Sequence, residues 1–170
     1  MPYKETGWSD LAAQVGRALL ARKGASLLKA ARLLVEEKTT DRGLDGKLQR
    51  GTYSFSLFLE LMSVLGADAP PQWQSILSLK DTSYAMKAKF ILLRELTNLG
   101  LDRDEFLRRL RDEHIEPPRN DSADRTMEDG TFSMILMLQL AALAYVEGME
   151  RFVDTSDLIR AALQSAKKEK

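Results

Sequence analysis

KLQRGTYSFSLFLELMSVLG, residues 47–66, and TMEDGTFSMILMLQLAALAY, residues 126–145, are two versions of one segment. Gly51, Thr52, Tyr53, Ser54, Leu57, Leu59 and Leu61 return as Gly130, Thr131, Phe132, Ser133, Leu136, Leu138 and Leu140. An internal repeat of this length points to duplication and sets the architecture before any local reading does. It predicts two tandem modules, residues 1–79 and 80–170.

Upstream of the first copy, Trp8, Leu11, Ala12, Val15, Leu19 and Leu20 are spaced by threes and fours, the stripe of an amphipathic helix over residues 8–23. Gly24 stops it. A second helix is expected from Ser26, with Leu27, Leu28, Ala31, Leu34 and Val35 turned inward. Asp41 can cap a short third helix bearing Leu44 and Leu48 and ending at Gly51. Ser54 caps a fourth, apolar on nearly every side, and such a helix is buried all round. Trp73, Ile76 and Leu77 mark a short fifth segment, and KDTS leads into a new start.

The pattern then repeats. Tyr84, Ala88, Ile91, Leu92 and Leu96 form the stripe of the next helix, Gly100 stands where Gly24 stood, and LDRDEFLRRL parallels ASLLKAARLL. HIEPPRNDSAD is an extended crossing, since a residue before proline is held out of the helical region. A short helix to Gly130, an apolar helix after Ser133 and an amphipathic helix over residues 155–166 complete an all-α chain. The two apolar helices read either as buried module centres or as a surface shared between copies or between chains, a pseudo-symmetric pair.

Composition narrows the function. Absence of cysteine excludes disulfides and thiolate metal sites, and a single histidine, His114, excludes multi-histidine ones. Asp112, Glu113 and Glu116 read as solvated carboxylates rather than a metal site. No phosphate-binding glycine loop is present, so neither an enzyme nor a cofactor is expected. The longest apolar run is too short to span a bilayer, and the expected setting is cytoplasmic with no membrane partner. A net charge of zero conceals an asymmetry. Arg17, Arg22, Lys23, Lys29, Arg32, Lys38, Arg42, Lys47 and Arg50 crowd the first half, whereas acids dominate the corresponding part of the second. A polyanion would meet the first.

The order helix, glycine, helix, short helix ending in Arg-Gly, apolar helix resembles the lambda-repressor-like helix-turn-helix fold. GLDGKLQRGTYSFSLFLELMSVLGA and GLDRDEFLRRL are similar to the motifs of a bacterial family of uncharacterised domains with that fold. The resemblance implies DNA binding, with Thr39, Thr40, Asp41, Arg42, Asp45, Gly46 and Lys47 on or just before the recognition helix. Lys29, Lys47 and Arg50 are the bases that can neutralise phosphates. The plain alternative is a solvated charged face. Gly43 and Gly46 lower the third helix's stability by about 1 kcal/mol each relative to alanine, and Glu128 with Asp129 would repel phosphate in the second copy.

Two functions follow as expectations. One is a transcriptional regulator that binds duplex DNA through residues 38–51 and uses the second module for association, as a homodimer or with a protein partner. The other keeps the fold without DNA: a protein-interaction antagonist or scaffold, whose acidic second copy suits a basic partner.

Overall fold

The stripe beginning at Trp8 forms α1, Gly7–Arg22, in a computed structural model that describes residues 7–118 and 123–168. Gly24, at a φ of 58°, turns the chain out of it, and the Ala25 N–H closes the end on the Leu20 carbonyl at 3.0 Å. The Ser26 hydroxyl caps α2, Leu27–Leu33, and the Thr40 hydroxyl caps α3, Asp41–Arg50. Asp41 is therefore the first residue of α3 rather than its cap, and its charge favours the helix N-terminus. Ser54 caps α4, Phe55–Val64, whose residues through Met62 are all buried.

α2 is shorter than its apolar pattern predicts. Glu60 of α4, 1% exposed, accepts the N–H groups of Val35, Glu36 and Glu37 at 3.0, 2.8 and 3.0 Å. Those donors are drawn away from the helical ladder, so α2 stops at Leu33. Leu28 and Val35, expected inside, are instead 46% and 71% exposed. Ala30, Ala31 and Leu34 make the inward contacts.

A 3-10 turn, Pro71–Trp73, and α5, Gln74–Leu77, lead to α6, Tyr84–Asn98, capped by Ser83. Gly100 and the bond from Leu101 N–H to the Leu96 carbonyl, 2.9 Å, repeat the closure at Gly24. α7, Arg103–Asp112, is capped by Asp102; α8 is Ala123–Asp129; α9, Met134–Leu143, is capped by Ser133. In the proline-rich crossing Ile115 and Pro117 are buried, while residues 119–122 lie outside the described residues. A 3-10 turn, Met149–Arg151, precedes α10, Thr155–Lys168.

The fold is all-helical. Its one non-helical pairing among the described residues joins Ser54 to Ser133 in an isolated antiparallel bridge. Phe55 N–H donates to the Phe132 carbonyl at 2.9 Å and Met134 N–H to the Tyr53 carbonyl at 3.0 Å. Tyr53 and Phe132, like Phe55 and Met134, are repeat partners, so these two bonds exchange under a local two-fold. The packing follows suit: α1 lies against α9, and α4 against α6. α5 covers part of α6, and α10 covers part of α1.

Aromatic rings fill the crossing. Phe55 stacks on Phe132 with centroids 5.7 Å apart and meets Trp73 edge-on at 5.5 Å, and Phe58 meets Phe152 edge-on at 5.2 Å. The buried apolar side chains of all these helices form one continuous cluster. A buried carboxylate, Glu95, fastens the connection by accepting from Trp73 Nε1 at 2.8 Å and Gln72 Nε2 at 3.2 Å.

Candidate nucleic-acid interface

α3 packs on α1 and α2 through Leu44 and Leu48, both buried. At 3.6 residues per turn, Gly46 projects opposite that pair. Asp45, Gln49, Arg42 and Arg50 flank it, all exposed. The outermost line of α3 thus has a glycine at its middle and polar side chains at its edges. The Arg50 guanidinium lies over Gly46, where an added Cβ would come within 3.1 Å of it. Gly43 leaves room for the Thr39 hydroxyl. Both glycines, costly to an isolated helix, are where neighbouring side chains need the space.

The other predicted site residues have distinct employments. The Thr40 hydroxyl accepts from Gly43 N–H at 3.0 Å and so serves the cap. Thr39 is half-buried. Lys47 Nζ pairs with Glu37 Oε2 at 3.1 Å, both groups about one-third exposed. Glu36 Oε1 accepts the Tyr84 N–H at 2.8 Å, at the start of α6. Both glutamates of the loop before α3 thus have partners within the chain. Lys29 on α2 and Arg42 on α3 are exposed, and no described residue forms an ion pair with them. Asp41 and Asp45 are exposed as well.

No protein-family model, curated protein or solved structure matches the chain.

The repeat supplies an internal comparison instead. Gln49 and Arg50 correspond to Glu128 and Asp129 on α8, and Gly46 to Arg125. Glu128 accepts from Lys89 at 3.1 Å and from Arg103 at 2.8 Å. The Lys89 hydrogen bond and charge, with help from Arg103, hold its carboxyl below the ordinary 4.5. On α7, Glu105 takes both Arg108 and Arg109, and its carboxyl is likewise lowered, chiefly by the Arg108 hydrogen bond. Lys89, Arg103, Arg108, Arg109 and Arg125 of this half pair with its own acids, whereas the exposed arginines of α3 form no ion pair among the described residues.

Sequence reasoning passed over two residues here. Gln49 carries no signal of its own and gains meaning only beside Gly46, opposite Leu44 and Leu48. Glu60, with Gln139 as its counterpart, was detectable as the polar position that both apolar helices share. Gln139 Nε2 donates to the Glu116 carbonyl at 2.9 Å, so both residues tie down the loop before α3 or α8.

Elsewhere the molecule offers little chemistry. Among the described residues no three His, Asp or Glu side chains gather as metal ligands, and no helix is long and apolar enough to cross a membrane. A shallow groove of about 290 Å³ between α1 and residues 150–157 has no Ser, Lys or His in its lining. His114 is exposed in a left-handed turn ending α7.

Proposed function

We propose that the chain is a DNA-binding transcriptional regulator built from two tandem lambda-repressor-like modules, residues 1–79 and 80–170, the first reading duplex DNA through α3. The observation that carries this is the outer line of α3, with Gly46 at its centre and Arg42, Gln49 and Arg50 around it. A major groove admits a helix, and the glycine at the apex leaves the outer line to Arg42, Gln49 and Arg50, whose guanidinium lies over it. Gln49 has the donor and acceptor needed for adenine, and an arginine the paired donors for guanine. Arg50 supplies charge for phosphates; Lys47, tied to Glu37, holds the loop that presents α3.

The second module serves association. Its α8 presents Glu128 and Asp129 where α3 presents Gln49 and Arg50, a surface that repels phosphate. The main-chain exchange at Ser54 and Ser133 supports a local two-fold between the copies, like the two-fold of the symmetric dimers that ordinary repressors form. One chain then carries one reading head. An electrophoretic shift assay against the protein's own upstream region tests the proposal. A shifted band that fades as salt rises supports it, and the absence of any band at low salt rejects it.

A further inference from the structure

The repeat also identifies a surface on which the two halves differ without any internal cause. On α7 the outer positions Asp104 and Arg109 correspond to Leu28 and Leu33 of α2. Leu28 is 46% exposed and Leu33 39%, and Val35, just past the helix, is 71% exposed. Single exposed leucines are ordinary. Here three large apolar side chains lie within one short segment, and Lys29 and Arg32 sit between the two leucines around the helix. α2 contains no acidic residue. The nearest glutamates are occupied: Glu36 by the Tyr84 N–H, Glu37 by Lys47, and Glu60 by the loop itself.

We propose that the outer face of α2, with Val35, docks an acidic amphipathic helix of a protein partner. Charge complementarity selects the occupant: bases without acids, flanked by apolar side chains, match a helix with a leucine stripe bordered by glutamates. A duplex would set hydrated phosphates against Leu28, Leu33 and Val35, which offer it nothing. The corresponding face of α7 needs no partner, because Arg108 is satisfied by Glu105 and Asp112. This proposal does not depend on DNA binding by α3.

The test uses the full chain and a fluorescein-labelled synthetic helix of about four turns, with leucines on one stripe and glutamates beside it. Binding is read by anisotropy, and its location by amide chemical-shift perturbation. The expected result is saturable binding with shifts at Leu28, Lys29, Arg32, Leu33 and Val35. Leu28→Asp combined with Leu33→Arg, which installs the α7 residues, weakens it about tenfold, and a lysine-for-glutamate peptide does not bind. Because both leucines are exposed, the thermal midpoint of that variant stays at the wild-type value; Val35→Ser provides a second, milder variant expected to weaken binding in the same direction. No binding of the acidic peptide would overturn the proposal. So would unchanged affinity in both variants, or shifts at these residues caused by duplex DNA and not by the peptide.

Discussion

Ser54 and Ser133 face each other across the centre of the molecule, each capping its own helix while the backbone beside it bonds to the other. The bonds from Phe55 to Phe132 and from Met134 to Tyr53 lie where the aromatic rings are fully buried. Hydrogen exchange should therefore place the Phe55 and Met134 amides among the slowest, opening only with global unfolding. Phe132→Ala, which removes the ring stacked on Phe55, should cost about 3–5 kcal/mol in denaturant titrations. Fast exchange at either amide in the native protein would show that this crossing is not a core element.

Gly51 and Gly130 end α3 and α8 with φ of 67° and 73°. A Cβ on either would run into backbone, at the Ser9 carbonyl oxygen for Gly51 and the Ala85 carbonyl oxygen for Gly130. Gly24 and Gly100 share the left-handed geometry, but a Cβ there would meet no described residue beyond its chain neighbours within 4 Å. Alanine at Gly24 or Gly100 should cost only the left-handed strain, about 1–2 kcal/mol. Alanine at Gly51 or Gly130 should cost more than twice as much, since helix backbone must move. Equal losses at all four positions, measured by urea unfolding, would contradict the close approach.

Glu60 and Gln139 occupy the same place in the repeat with unequal bonding. Glu60 satisfies three backbone donors, whereas Gln139 Oε1 is buried with no partner among the described residues. Glu60→Leu should leave those donors unpaired and cost about 3 kcal/mol or more. Gln139→Leu should be near neutral, because the lost bond to Glu116 is offset by removing an unsatisfied oxygen. Thermal melts of the pair settle the matter, and a larger loss at Gln139 would reverse the assignment.

Stability should fall at both ends of the pH scale for separate reasons. Glu105 and Glu128 have lowered carboxyl pKa values, so their contribution is complete above the unfolded value of 4.5 and is lost as pH falls through the folded values. Glu128 is exposed and Glu105 half-buried, and salt should weaken this acid limb. Burial pushes the Tyr53 hydroxyl, which donates to the Ala12 carbonyl at 2.6 Å, well above its ordinary 10.0. Its contribution is present below pH 10.0 and is lost as pH rises beyond it. Tyr53→Phe should flatten the alkaline limb while costing about 1 kcal/mol at neutral pH. An unchanged alkaline limb in that variant would exclude Tyr53 as its source.

What was legible in the sequence was what is encoded locally. Ser26, Ser54, Ser83 and Ser133 cap helices through their own hydroxyls, and Gly24 and Gly51 stop them by their own backbone freedom. The end of α2 was not legible, because it is set by Glu60, far along the chain on α4. Leu28 and Val35 were turned inward by a periodicity that tertiary hydrogen bonding interrupts. Lys47 and Arg50 looked alike as bases near a helix end. Only the fold separates them, giving Lys47 an internal partner and leaving Arg50 over Gly46.

The most direct test of α3 as a reading head is the anisotropy of a labelled duplex from the protein's own upstream region, titrated from about 50 to about 200 mM salt. The expected result is binding at low salt that weakens steeply across this range. Arg42→Glu combined with Arg50→Glu should lower affinity at least about tenfold, while Lys47→Gln, beside Glu37, lowers it less. No binding at low salt, or equal affinity in the wild type and the double variant, would contradict the account.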